Sequence, residues 1–241
     1  MLNSEGILPA VIHPIRELAR TLICSTLLLT ACTAAGAPEA PALSSAMVVT
    51  ANPHATRAGE WVLQQGGSSV DAAVAIEAVL SLVEPQSSGL GGGGFMMHLA
   101  GDTNDLAVYD GREVAPAGAS PTMFLDDTGT PLPFLAAKNS GLSIGVPGVL
   151  AMLKMAHKEH GTLPWSSLFA PARKLALEGF EVSPRLASFV SRYNGRLIPL
   201  TPEDGAMDAY HYFYDQAGEP RTRLTNPAYA KTLETIAEDP D

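Results

Sequence analysis

Thiols are scarce in this chain: its 241 residues include two cysteines, Cys24 and Cys32. Residues beyond position 32 therefore offer no thiol nucleophile, no disulfide and no thiolate zinc ligand. Basic residues are also few. The 15 Lys and Arg face 25 Asp and Glu, a net charge of −10. That balance repels polyphosphates and argues against nucleic acid as a partner, because such binding draws its affinity from cations that neutralise phosphates. Charge of either sign is low, at 17% of residues, against about 25% in soluble domains. In its place stand 46% hydrophobic residues, 22 Gly and 19 Pro. This is the composition of a packed, loop-rich scaffold with a substantial core, not of a disordered chain.

No segment near the start is long enough to span a bilayer, which takes about 20 apolar residues. Residues 21–31 are uncharged and partly apolar and follow Arg16 and Arg20, the layout of a secretory signal. The run ends Leu29-Thr30-Ala31-Cys32, similar to the bacterial lipobox, whose processing leaves an acylated N-terminal cysteine. On that reading residues 1–32 are a lipoprotein-type signal and Cys32 is the lipid anchor. The alternative is ordinary cleavage after Ala35, with Cys32 a plain thiol. Residues 33–46 are rich in Ala, Pro and Ser, with Glu39 their one charge, and read as a tether. Export to a periplasm, with anchoring to a membrane, is the expected localisation.

The globular region is expected at residues 47–241. Met47-Val48-Val49 suggests a first strand, and Asn52-Pro53 breaks it. Apolar spacing predicts a helix over 54–65, stopped by Gly66-Gly67, and a second from Ser69, as cap, to Glu84-Pro85. Residues 95–99 and 106–109 predict a hairpin. Residues 142–146 read as a short strand leading through Pro147 into a helix over 148–160, stopped by Gly161. Further helices are expected at 164–178, at 184–193 with Ser183 as cap, and from Asn226-Pro227 to about Glu238. His211, among Tyr210, Tyr212, Phe213 and Tyr214, reads as a packed strand. Asp126-Asp127 and Glu203-Asp204 read as turns. Helices lead, a few strands follow, and helices return, which fits an α+β layered domain.

Two segments invite chemistry. Gly89-Leu90-Gly91-Gly92-Gly93-Gly94 satisfies G-x-G-x-x-G, but a dinucleotide site needs a strand before the glycines and a helix after them. Here the order is reversed. Consecutive glycines instead permit left-handed dihedrals or very close backbone approach, either to another part of the fold or to a substrate or catalytic segment. In Tyr109-Asp110-Gly111-Arg112-Glu113-Val114-Ala115-Pro116, an arginine follows a strand directly. Its planar fork matches a carboxylate, although a surface salt bridge with Asp110 or Glu113 is the plainer reading. His157 and His160 lie at i, i+3 on a helix among lysines and Glu159, without a third ligand. They read as a solvated face, and no metal or cofactor is assigned.

Residues 83–96, 110–116 and 144–149 resemble, in order, three landmarks of the γ-glutamyltransferase large subunit. Residues 51–53 and 66–73 before them, and 161–165 and 176–180 after them, extend the likeness. The resemblance implies an N-terminal-nucleophile hydrolase fold, an αββα four-layer sandwich of which this chain is the first, incomplete part. It implies glutathione or another γ-glutamyl donor as substrate, with an amino acid, a dipeptide or water as acceptor. A threonine at the start of a small subunit from the same precursor would be the nucleophile. The family's arginine for the glutamyl α-carboxylate falls on Arg112. Gly91, Gly92, Gly93 and Gly94 would line an active-site wall, and they are not the family's oxyanion hole, which belongs to the small subunit. No Thr-Thr pair occurs in the chain, so no catalytic residue is assigned and the chain alone is expected to be inactive. A cephalosporin or glutaryl acylase of the same superfamily, and a non-catalytic lipoprotein binding module, are the alternative readings.

Overall fold

A computed structural model describes residues 46–138, 140–192 and 209–238. Cys32 and Glu203-Asp204 lie outside the described residues. Among the described residues, no helix is long and apolar enough to cross a membrane.

Helix α1 (Pro53–Gln64) begins with Pro53 at its first position and Asn52 as cap, the Asn52 Oδ1 accepting the His54 N–H at 2.9 Å. Gly66, at φ +83°, turns the chain back. Helix α2 (Ser69–Val83) is capped by Ser68, not Ser69, through a reciprocal box. The Asp71 N–H donates to Ser68 Oγ, and the Ser68 N–H donates to Asp71 Oδ2. Most of α2 is buried, including Val70, Val74, Ala75, Ala78, Val79, Leu82 and Val83. It packs on α1, and its alanines let the neighbouring helices approach closely.

Strands β1 (Gly94–Leu99) and β2 (Leu106–Gly111) form an antiparallel hairpin, in register from Gly94 opposite Gly111 to Leu99 opposite Leu106. The alternation sorts side chains onto two faces. Met96, His98, Ala107 and Tyr109 share the more buried face, against helix α4 (Val149–His160). The opposite face is apolar and open: Phe95, Met97, Leu99, Leu106 and Val108 are each 57–70% exposed. A sheet face of that kind is a layer surface that calls for a second layer over it.

Between hairpin and α4 lie a short helix α3 (Phe134–Lys138) and a 3₁₀ turn at Gly141–Ser143. After α4, a 3₁₀ segment (Trp165–Phe169) runs into α5 (Ala170–Glu178), so the expected single helix over 164–178 is two segments. Gly179, at φ +86°, redirects the chain into β3 (Phe180–Glu181). Helix α6 (Pro184–Arg192) is capped by Ser183, whose Oγ accepts the Leu186 N–H at 3.0 Å. Helix α7 (Ala209–Phe213), β4 (Arg223–Leu224), antiparallel to β3, and α8 (Pro227–Glu238) complete the described elements.

Several sequence expectations change. Met47 and Val49 are 87% and 83% exposed and form no strand, because an extended run needs a partner to become one. Residues 142–146 are not a strand but the 3₁₀ turn, followed by one isolated bridge between Val146 and Val114. Helix α4 starts at Val149, with Gly148 as cap and Pro147 outside it. Residues 210–213 are helical, with the rings of Tyr210 and Tyr214 stacked at 4.8 Å, the spacing of one helical turn. Asp126-Asp127 does open a turn, closed by the Gly129 N–H on the Asp126 carbonyl.

Candidate functional site

The three separated landmarks meet at the N-terminus of α4. A helix leaves its first N–H groups without intrahelical partners, and here the Gly92 carbonyl accepts those of Gly148 and Val149 at 3.1 and 3.2 Å. Val114 and Val146 exchange backbone bonds of 3.3 and 2.9 Å, tying residues 110–116 to 144–149.

Glycine is required here for contact. No member of the run 91–94 has positive φ, so close approach is the operative reason. A Cβ on Gly93 would lie 2.5 Å from Glu113 Oε2 and 2.8 Å from the Glu113 backbone nitrogen. One on Gly145 would lie 2.9 Å from Glu113 Cβ, and one on Gly148 2.5 Å from the Gly111 carbonyl oxygen. Glu113 is thus held between the glycine run and Gly145. Gly91 differs, with nothing within 4 Å of the corresponding point, and Gly94 opens β1.

Arg112 follows β2 directly. Its backbone N–H donates to Asp110 Oδ1 at 2.9 Å, and its Nε stands 3.3 Å from Glu113 Oε2. Both partners named for a surface pair are engaged, Asp110 through the backbone and Glu113 through the charge. The arginine side chain is 70% exposed. With five N–H donors on a guanidinium, a contact at Nε leaves capacity for a planar acceptor. A cleft of about 420 Å³ opens there, lined by Arg112, Glu113, Met123, Phe124, Leu142 and Ile144. A second space, of about 910 Å³, is lined by Gly91 to Gly94 with Glu77, Gln86 and Glu113. Glu113 borders both spaces, and Arg112 only the first.

The histidines of α4 are not a solvated face. His157 Nε2 lies 3.0 Å from the Leu163 carbonyl and 3.4 Å from Asp71 Oδ1, with 17% of the side chain exposed. The His160 ring stacks on His98 at 4.1 Å. Both point inward because α4 is wedged between the hairpin and α2. Among the described residues no cluster of His, Cys, Asp and Glu could hold a metal ion.

Sequence reasoning passed over two buried acids, Asp71 in α2 and Glu84 immediately after it. Asp71, fully buried, accepts the N–H groups of Ser68, Thr162 and Leu163 at 2.8–3.0 Å. Its signal was the spacing Ser68-x-x-Asp71, a capping box. Glu84, 1% exposed, binds side chains from α6, and no local pattern announces such a long-range hub.

The family described as gamma-glutamyltranspeptidase matches residues 55–241. The chain belongs to that family. The glutathione hydrolase proenzyme of Bacillus subtilis (strain 168) is 45% identical over 158 residues, 66% of this chain and 27% of that protein. The Escherichia coli (strain K12) glutathione hydrolase proenzyme is 36% identical over 239 residues, 92% of this chain and 40% of that protein. Among solved structures, gamma-glutamyltranspeptidase from Helicobacter pylori superposes with a TM-score of 0.72 at 30% identity, covering 83% of this chain and 56% of that one. The cephalosporin acylase of Bacillus halodurans gives 0.61 at 26% identity, covering 84% and 39%. The chain spans about a quarter to two fifths of the length of these curated relatives, and its mixed helix and sheet form part of the N-terminal-nucleophile hydrolase fold these structures share.

Proposed function

We propose that the protein containing this chain cleaves or transfers the γ-glutamyl group of glutathione and related amides, and that Arg112 grips the glutamyl α-carboxylate. The supporting observation is the meeting of three landmarks around one charged pair, Arg112 and Glu113, at the mouth of a cleft. The relatives named above as glutathione hydrolases supply the substrate class.

The residues present bind and orient. The Arg112 guanidinium offers a bidentate seat for a carboxylate, and Glu113 occupies its Nε edge, directing the rest of the fork outward. The glycines let the β1 loop pass close enough to Glu113 to fix it. The nucleophile of this reading is a threonine hydroxyl from the small subunit, which attacks the γ-carbonyl and releases the amine. Water or an acceptor amine then takes the acyl group, regenerating the hydroxyl. Holding the α-carboxylate places the γ-carbonyl for that attack, the positioning on which such catalysis depends.

The test is hydrolysis of γ-glutamyl-p-nitroanilide by the full-length protein and its Arg112→Ala variant. Loss of the carboxylate's partner raises KM by the equivalent of about 2–5 kcal/mol, and an unchanged KM overturns the assignment. Likeness to the acylase structure makes glutaryl-p-nitroanilide the comparison substrate, and a strong preference for it overturns the γ-glutamyl reading. Export and anchoring through Cys32 belong to the same proposal. Radiolabelled palmitate incorporated by the wild type and lost in Cys32→Ser is the expected result, and labelling that persists refutes the anchor.

A further inference from the structure

We propose that Glu84 and Arg185 form a buckle that positions the glycine run against Glu113 and Arg112, and so set γ-glutamyl binding without touching substrate. This rests on the functional reading above.

Glu84 ends α2 and begins the loop that leads to Gly89. Its carboxylate is 1% exposed, yet each oxygen has two donors. Oε1 accepts from Asn52 Nδ2 at 2.8 Å and Ser183 Oγ at 2.7 Å. Oε2 accepts from Gln86 Nε2 at 2.6 Å and Arg185 Nη1 at 3.2 Å. Burial alone would raise this carboxyl, but the bonds from Asn52, Ser183 and Gln86, with the Arg185 charge, hold it below its ordinary value. The anion is thereby kept buried and saturated, joining the starts of α1 and α6 to the end of α2.

The buckle reaches the loop itself. The Glu84 carbonyl accepts the N–H groups of Ser87 and Ser88 at 3.0 and 3.1 Å. Arg185 Nη1 also donates to Ser87 Oγ at 2.9 Å, so a single guanidinium spans the carboxylate and the loop. Two turns earlier on α2, Glu77 accepts the Ser81 hydroxyl at 3.1 Å and lines the same space as the glycine run. The loop is pinned at Ser87 and Ser88, and the Gly89 carbonyl accepts the Gly92 N–H at 3.0 Å, just where Gly92 and Gly93 engage α4 and Glu113. Arg185 also lies in the first turn of α6, where the helix dipole disfavours a cation. The contacts with Glu84 and Ser87 account for its placement there.

The experiment uses the full-length protein with Arg185→Met, Ser87→Ala and the double variant. Hydrogen exchange should speed up in residues 87–94 in both single variants and stay unchanged in α5. KM for γ-glutamyl-p-nitroanilide should rise about fivefold in each, and the double variant should show no further rise, because both substitutions cut one bridge. A lower melting temperature with unchanged KM, or additive KM effects, reduces Arg185 to a structural residue and overturns the proposal. If the wild type turns over no γ-glutamyl amide, the functional reading has failed instead. Exchange in residues 87–94 then still decides whether the buckle holds the loop, and unchanged exchange refutes it.

Discussion

Glu113 Oε2 stands 2.5 Å from the point that a Cβ on Gly93 would occupy, with the Glu113 backbone nitrogen at 2.8 Å from the same point. The side chain of Glu113 could swing aside, but its backbone could not. Gly93→Ala must therefore shift either the β1 loop or the segment that carries Arg112. Overpacking of this kind costs about 1–3 kcal/mol, and the displacement acts on the binding pair. A raised KM for γ-glutamyl-p-nitroanilide, with autoprocessing checked by gel, is the expected outcome. Gly91→Ala is the internal control, since nothing lies within 4 Å of its Cβ position and its φ is not positive. Equal effects at both positions would sink the contact argument.

Glu113→Gln separates orientation from stability. The pair with Arg112 is largely exposed, with 70% of the arginine side chain and 35% of the glutamate accessible, and exposed pairs contribute about 1 kcal/mol or less. The melting temperature should therefore hardly move. KM should rise, because Arg112 loses the partner that fixes its Nε edge. A large fall in melting temperature with no change in KM contradicts this account.

Local signals made much of this fold legible. Asn52, Ser183 and Asn226 cap helices where side chain and spacing imply it, and the alternation of residues 95–99 and 106–109 marks the hairpin. Long-range context decided the rest. Met47-Val48-Val49 has strand-like residues but no partner. The aromatic run of residues 210–214 looks like a strand until the spacing of four between Tyr210 and Tyr214 is given weight. His157 looks solvated beside Lys158 and Glu159, yet it faces Asp71, more than 80 positions away in sequence. At the candidate site, the motif singles out Arg112 as a candidate, whereas the grip on Glu113 depends on three segments meeting and is invisible in any one of them. Left-handed backbone is absent from residues 91–94, so close approach is what Gly93 serves.

Asp71→Ala should be among the most damaging single changes in the described region. It leaves the N–H groups of Ser68, Thr162 and Leu163 without an acceptor, and a buried unsatisfied donor costs about 1–3 kcal/mol. His157 loses its carboxylate partner as well. Urea denaturation of the full-length protein should show a loss of roughly 3 kcal/mol or more. Asp71→Asn should recover part of the loss, because its carbonyl oxygen can still accept. A loss below about 1 kcal/mol for the alanine variant would mean that water replaces the carboxylate.

Tyr109 supplies an alkaline test of hairpin docking. Its hydroxyl donates to Glu159 Oε2 at 2.6 Å. That bond, followed by burial and the Glu159 charge, pushes the phenol up to about 12 from an ordinary 10.0. A pKa raised on folding stabilises the native state fully below the unfolded value, and the contribution disappears as pH rises through the folded value. The Tyr109 contribution should therefore be constant up to about pH 10 and lost between 10 and 12. Tyr109→Phe keeps the ring against His160 and removes the hydroxyl, costing about 1 kcal/mol near neutrality. Melting curves of both proteins across pH 7–12 should show the gap close over the upper two units of that range. A gap that stays constant to pH 12 would show that the Glu159 bond does not hold the hairpin to α4.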